Sequence, residues 1–141
     1  MNLQFTEVSQ RDIPAILAQA KELIDAYEDL TSIDYDKVMI WMERKISQNI
    51  FRYRCVLKDQ QPCAYYCLCE DGELDDFYVL PAFRNMGIGS EIMRKCIAES
   101  VNPLYLYVFT RNTGAISFYK RFGFTCCKTV SKTRMILARN G

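Results

Sequence analysis

Apolar residues recur at three- and four-residue intervals through Ile13, Ile16, Leu17, Ala20, Leu23, Ile24 and Tyr27, which predicts a helix with one buried face. Ser9, with Asp12 three residues on, has the form of a capping box at its start, and Leu3 to Val8 reads as a strand leading into it. Tyr35, Val38, Met39, Met42 and Ile46 predict a second helix over 34–48. Residues 51–58 and 63–69 read as the two strands of a hairpin about a turn at 59–62, and Asp71-Gly72 marks another tight turn. A strand over 73–80 follows, ended by Pro81, and then a glycine-bearing loop and a helix over 87–101 with Ile88, Ile92, Met93, Cys96 and Ile97 inward. The unbroken apolar run 104–109 predicts a strand buried on both faces in a parallel arrangement, so the helix before it makes a right-handed crossover. A short helix from Asn112 to Gly123 and a hairpin over 124–138 about Ser131 complete an α/β pattern.

With 141 residues, the chain has the length of one domain, expected to span 1–141. Half the residues are apolar and a quarter charged, a globular balance. The net charge of +1 supplies no field for nucleic acid or an anionic membrane surface, and neither is expected as a partner. No run approaches a membrane span and no signal segment opens the chain, which predicts a cytoplasmic protein. Histidine is absent, so triads, dyads and zinc hydrolase sites built on it are excluded, and proton transfer falls to Asp, Glu, Tyr, Lys or Cys. The seven cysteines form no C-x-x-C pair and sit mostly in apolar runs, so they are expected as buried, reduced thiols with no metal. Thiol transfer through Cys126 and Cys127 is disfavoured, because neighbouring strand residues point to opposite faces.

The segment Arg84-Asn85-Met86-Gly87-Ile88-Gly89-Ser90 lies between a predicted strand and helix, where unpaired amides and the positive end of a helix dipole meet. It is neither a Walker motif nor G-x-G-x-x-G. With Phe77-Tyr78-Val79-Leu80-Pro81 before it and Asn112 to Ala115, Phe118-Tyr119 and Gly123-Phe124 after it, the chain resembles the GNAT superfamily of N-acetyltransferases. The resemblance implies one α/β domain with a mixed central sheet of six to seven strands and about four helices, its central strands splayed around the cofactor.

By that resemblance Asn85, Met86, Gly87, Ile88, Gly89 and Ser90 would present amides to the pyrophosphate of acetyl-CoA, with Arg84 also binding the cofactor and Phe77, Val79 and Asn112 along the pantetheine arm. The Val79 amide would hold the oxyanion, and Tyr119 would protonate the departing thiolate. An acceptor amine arrives protonated, so a carboxylate or a carboxylate-bound water must take its proton. Glu73, Asp75 and Asp76 are the candidates, with Asp75, backed by Asp76 or water, foremost; strict alternation puts Asp75 and Asp76 on opposite faces unless a bulge intervenes. The stretch 74–79 with 87–92 is similar to polyamine acetyltransferases in particular, while Tyr107 stands where relatives acting on ribosomal-protein N-termini carry Glu. The acidic cluster favours a small cationic primary amine as acceptor without identifying it, a protein amine stays open as the other partner class, and a homodimer is a further expectation. The other reading is an acyl-CoA sensor or docking module of the same fold without turnover.

Overall fold

The computed structural model describes residues 1–140 and contains four helices and seven strands in two sheets. β1 (Leu3–Glu7), β2 (Tyr53–Lys58), β3 (Gln61–Leu68) and β4 (Leu74–Val79) form an antiparallel sheet in that order. β5 (Tyr105–Phe109), β6 (Phe124–Thr129) and β7 (Arg134–Arg139) form the second, ordered β5-β7-β6. The helices are α1 (Ile13–Tyr27), α2 (Tyr35–Gln48), α3 (Ile88–Glu99) and α4 (Thr113–Arg121). The first two begin where the sequence supplies a cap: the Ser9 amide donates to the Asp12 carboxylate (2.9 Å) ahead of α1, and Asp34 accepts from the Lys37 amide at the start of α2.

Alternation along β3 divides the core. Ala64 and Tyr66 pack with Leu74, Ile92, Met93, Leu106 and Leu137 under α3 and α4, whereas Tyr65 and Cys67 pack with Ile16, Ile46 and Tyr53 under α1 and α2. The strand buried on both faces is therefore β3, not the apolar run 104–109. In β5 only Leu106 and Val108 are buried, and Tyr107 is 42% exposed. β5 pairs antiparallel with β7 and meets β4 at a single parallel bridge, Glu73 to Tyr105. A second departure concerns the hairpin after β2. Its turn is two residues, Asp59 and Gln60, both at positive φ, and Pro62 lies within β3 beside a register shift that leaves Cys63 unmatched.

The two sheets separate from one apex. The Gly72 carbonyl accepts from the Tyr105 amide (3.1 Å) and the Asn102 side chain donates to the Glu70 carbonyl (2.7 Å). Gly72 has φ +101°, and a Cβ there would lie 2.2 Å from the Pro103 carbonyl oxygen, so only glycine fits this approach.

β4 carries the feature that strict alternation could not supply. Cys67 faces Asp76 and Leu68 faces Leu74, which leaves Asp75 as an extra, bulged residue. The bulge re-aims the side chains, so that Asp75 reaches Lys45 on α2 and Asp76 reaches Tyr53 on β2.

Candidate active site

Beyond the apex the edge of β4 that faces β5 pairs with no strand among the described residues. Its amides can be assigned from register. Leu80 donates to the Cys63 carbonyl (2.8 Å), and antiparallel partners exchange bonds at alternate residues, so Asp76 and Tyr78 bond to β3 while Phe77 and Val79 turn their N–H groups into the cleft.

Two cavities open from this edge. The smaller, about 550 Å³, is lined by the β4 end, residues 87–90 at the start of α3, and one face of α4. Gly87 is the N-cap of α3 at φ +83°, and Asn85 also has positive φ, so the loop turns sharply and leaves the first amides of the helix without intrahelical partners. A Cβ on Gly87 would meet nothing nearer than the Met1 methyl at 4.0 Å, so the space beside it is open. Gly89 serves packing instead, since a Cβ there would contact the Phe118 ring at 3.4 Å. Ile88 is buried and anchors the turn in the core. Arg84 lines the cavity but donates its Nε to the Val79 carbonyl (3.0 Å) and lies over the Tyr78 ring. Met86 is half exposed and does not line it. Arg121, in the basic last turn of α4, supplies a cation to this cavity that no sequence motif singles out.

The larger cavity, about 1040 Å³, lies between β4, β5 and the α1–α2 layer. It shares Leu23, Phe77, Asn112, Ala115 and Tyr119 with the smaller one, so these residues form the junction. Asn112 is fixed there as the N-cap of α4, its Oδ1 accepting from the Ala115 amide. The Tyr119 ring sits among Phe77, Phe118 and Phe124 at centroid distances of 6.1, 5.5 and 5.7 Å. Burial, and then the Asp76 carboxylate, push its hydroxyl pKa up, which keeps the phenol protonated.

Acidic groups gather on the β4 side of the larger cavity. Tyr53 donates to Asp76, and loss of solvent raises the Asp76 carboxyl to about 6, with Lys45 opposing and Asp75 adding to the rise. Glu73 is also raised, by burial and then by Asp75. Asp75 is engaged differently: its Oδ1 accepts from Lys45 Nζ at 2.9 Å, and that ammonium lies 5.3 Å over the Trp41 ring. Six carboxyl side chains line the cavity against the cations of Lys45, Arg52 and Arg134, so a positively charged guest fits its field better than an anion. Lys45 and Tyr53 carry no motif, and only the fold brings them to β4.

The cysteines divide by position. Cys55, Cys63, Cys67 and Cys96 are buried as the apolar runs imply, but Cys126 and Cys127 are exposed on β6, where a register shift leaves Cys127 unmatched. Cys67, Cys69 and Asp75 bring their ligating atoms within 4.8 Å of one another, with Asp75 already holding Lys45. A thiol reagent is expected to label Cys126 and Cys127 rapidly in the native protein, and the buried four only on unfolding; uniform labelling of all seven would contradict this packing.

The acetyltransferase (GNAT) family model matches residues 18–124. Over 59 residues, 39% of this chain, the sequence is 39% identical to an uncharacterized N-acetyltransferase of Methanocaldococcus jannaschii, and the match spans only about a quarter (26%) of that protein's length. The fold resembles the PaiA N-acetyltransferase from Thermoplasma acidophilum, crystallised in complex with coenzyme A, with a TM-score of 0.70 and 17% identity over 100% of both chains. It also resembles an acetyltransferase from Thermus thermophilus, with a TM-score of 0.73 and 19% identity over 99% of this chain and 97% of that one. No helix among the described residues is long and apolar enough to cross a membrane.

Proposed function

This chain belongs to the acetyltransferase (GNAT) family, and from that premise we propose that it is an acetyl-CoA-dependent N-acetyltransferase acting on a small cationic primary amine. The observation that carries the reading is the meeting of two cavities at Leu23, Phe77, Asn112, Ala115 and Tyr119, one offering unpaired amides and the other carboxylates. The residues suit the donor: the Gly87 turn has room for phosphate oxygens, and the free β4 edge offers amides to an amide-rich arm in the manner of an added strand. Bound acetyl-CoA would supply an activated acyl group as a thioester. The Val79 N–H, turned into the cleft, would hold negative charge developing on the acyl oxygen, and Tyr119, which lines the same cavity, would protonate the departing sulfur.

Asp76, rather than Asp75, is the base in this reading. A carboxyl near 6 is ionised at neutral pH yet basic enough to accept a proton, whereas the Asp75 carboxylate is already ion-paired with Lys45. The six carboxyls of the larger cavity favour a cationic acceptor. Thiol release from acetyl-CoA should appear with at least one member of a panel of diamines, polyamines, amino acids and lysine peptides. Silence across the panel with coenzyme A still bound would replace this reading with a non-catalytic acyl-CoA sensor.

The Gly87 turn provides a separate test of where the cofactor sits. Gly87→Val places a β-branched residue at positive φ and fills the open space, while Gly87→Asn tolerates that φ and only fills it. Loss of one charge-assisted contact costs about 1.5–3 kcal/mol, so coenzyme A should bind roughly 10- to 100-fold more weakly by calorimetry. Unchanged affinity in both folded variants would move the pyrophosphate elsewhere.

A further inference from the structure

Lys45 is a primary amine already inside the acceptor cavity. It projects from α2, its Nζ donates to Asp75 one residue from the proposed base, and its side chain is only 20% exposed. Trp41 flanks the ammonium, while Asp76 and Tyr119 line the same cavity. An amine tethered in the same cavity as the acid and base groups reacts at an effective concentration above that of a free acceptor. Resting on the proposed function, we propose that Lys45 is itself an acetyl acceptor, modified by the protein's own site when acetyl-CoA is bound and no small amine competes.

The step balances with groups present. The Lys45 Nζ–carbon bond forms as the thioester carbon–sulfur bond breaks; the ammonium gives its first proton to Asp76 before attack, Tyr119 gives its proton to the departing sulfur, and the second nitrogen proton, shed as the amide forms, restores the Tyr119 phenol. The product is a neutral amide, so Asp75 loses the cation that now occupies it, and the acceptor cavity gains an acetyl group beside Trp41. Coupling of this kind would make the modification a record of acetyl-CoA exposure without substrate.

Uncatalysed acetylation provides the contrast. Burial opposes the Lys45 charge, but the carboxylates of Asp76, Asp75 and Glu73 outweigh it and hold the proton on more tightly than usual. Chemical transfer from acetyl-CoA follows exposure and free amine, so it should reach Lys37, 85% exposed, well before Lys45. The experiment is incubation of the whole chain with acetyl-CoA alone, followed by intact mass and peptide mapping over time. We expect one acetyl group gained first at Lys45, a gain lost in Lys45→Arg and slowed roughly 10²- to 10⁴-fold in Tyr119→Phe. Modification led by Lys37, or a Lys45 rate unchanged by Tyr119→Phe, overturns the proposal. Thiol release with the amine panel, run on the same preparation, separates the two readings. Turnover with Lys45 unmodified rejects the self-acetylation alone, whereas no turnover and no modification reject both.

Discussion

Tyr119→Phe should lower the rate of acetyl transfer by roughly 10²–10⁴ while leaving coenzyme A affinity nearly unchanged. The ring contacts with Phe77, Phe118 and Phe124 survive the substitution, so the variant keeps its packing and loses only the hydroxyl. Because burial and Asp76 raise that hydroxyl, it stays protonated through the neutral range and is available as a donor. The measurement is single-turnover thiol release on whichever amine the panel identifies, under conditions where chemistry limits the rate. Full activity would make Tyr119 a packing residue and leave protonation of the thiolate to water.

Asp76→Asn is expected to produce a comparable loss of rate together with a gain in stability. The wild-type kcat/KM should rise with pH through about 6 as the carboxyl ionises, and that inflection should vanish in the variant. Some rate should return at high pH, where the free amine needs no base. The stability effect has a definite sign. With a folded value near 6 against an ordinary 3.8, the folded chain binds the proton more tightly than the unfolded one, so stability falls as pH rises from about 4 to 6 and stays reduced above. A difference of about two units corresponds to about 3 kcal/mol, the cost that Asn would relieve at neutral pH. Thermal unfolding of both proteins at about pH 4.5 and about pH 7.5, on either side of the upper end of that window, checks it; a variant no more stable than wild type at the higher pH would contradict the desolvated carboxylate.

The four helices were legible because each combines a 3.6-residue period with a cap or a glycine turn, and α1 and α2 end where the periodic residues end. The glycine loop was legible for a similar reason, since Gly87 and Asn85 take backbone angles that few other residues accept. Strand environment was harder to read. An unbroken apolar run cannot say which faces are covered, so 104–109 looked fully buried although one face of β5 opens into the cavity, where Tyr107 stands exposed. The bulge at Asp75 has no local signature, and without it Asp75 and Asp76 could not both reach partners on the α1–α2 side. Lys45 and Tyr53 lie 30 and 23 residues from the carboxylates they contact, so their roles depend on tertiary placement alone.

The apex at Gly72 bears on how a ligand arrives. Because a side chain is excluded there and the Tyr105 backbone amide and the Asn102 side chain tie the two turns together, the angle between β4 and β5 is set by the covalent chain and these hydrogen bonds before anything binds. Entry into the cleft then requires no separation of paired strands and little ordering of the protein, so the association cost falls mainly on the flexible ligand. In kinetic terms this is one-step capture: observed binding rates should climb linearly with coenzyme A concentration, with no plateau from a preceding opening step.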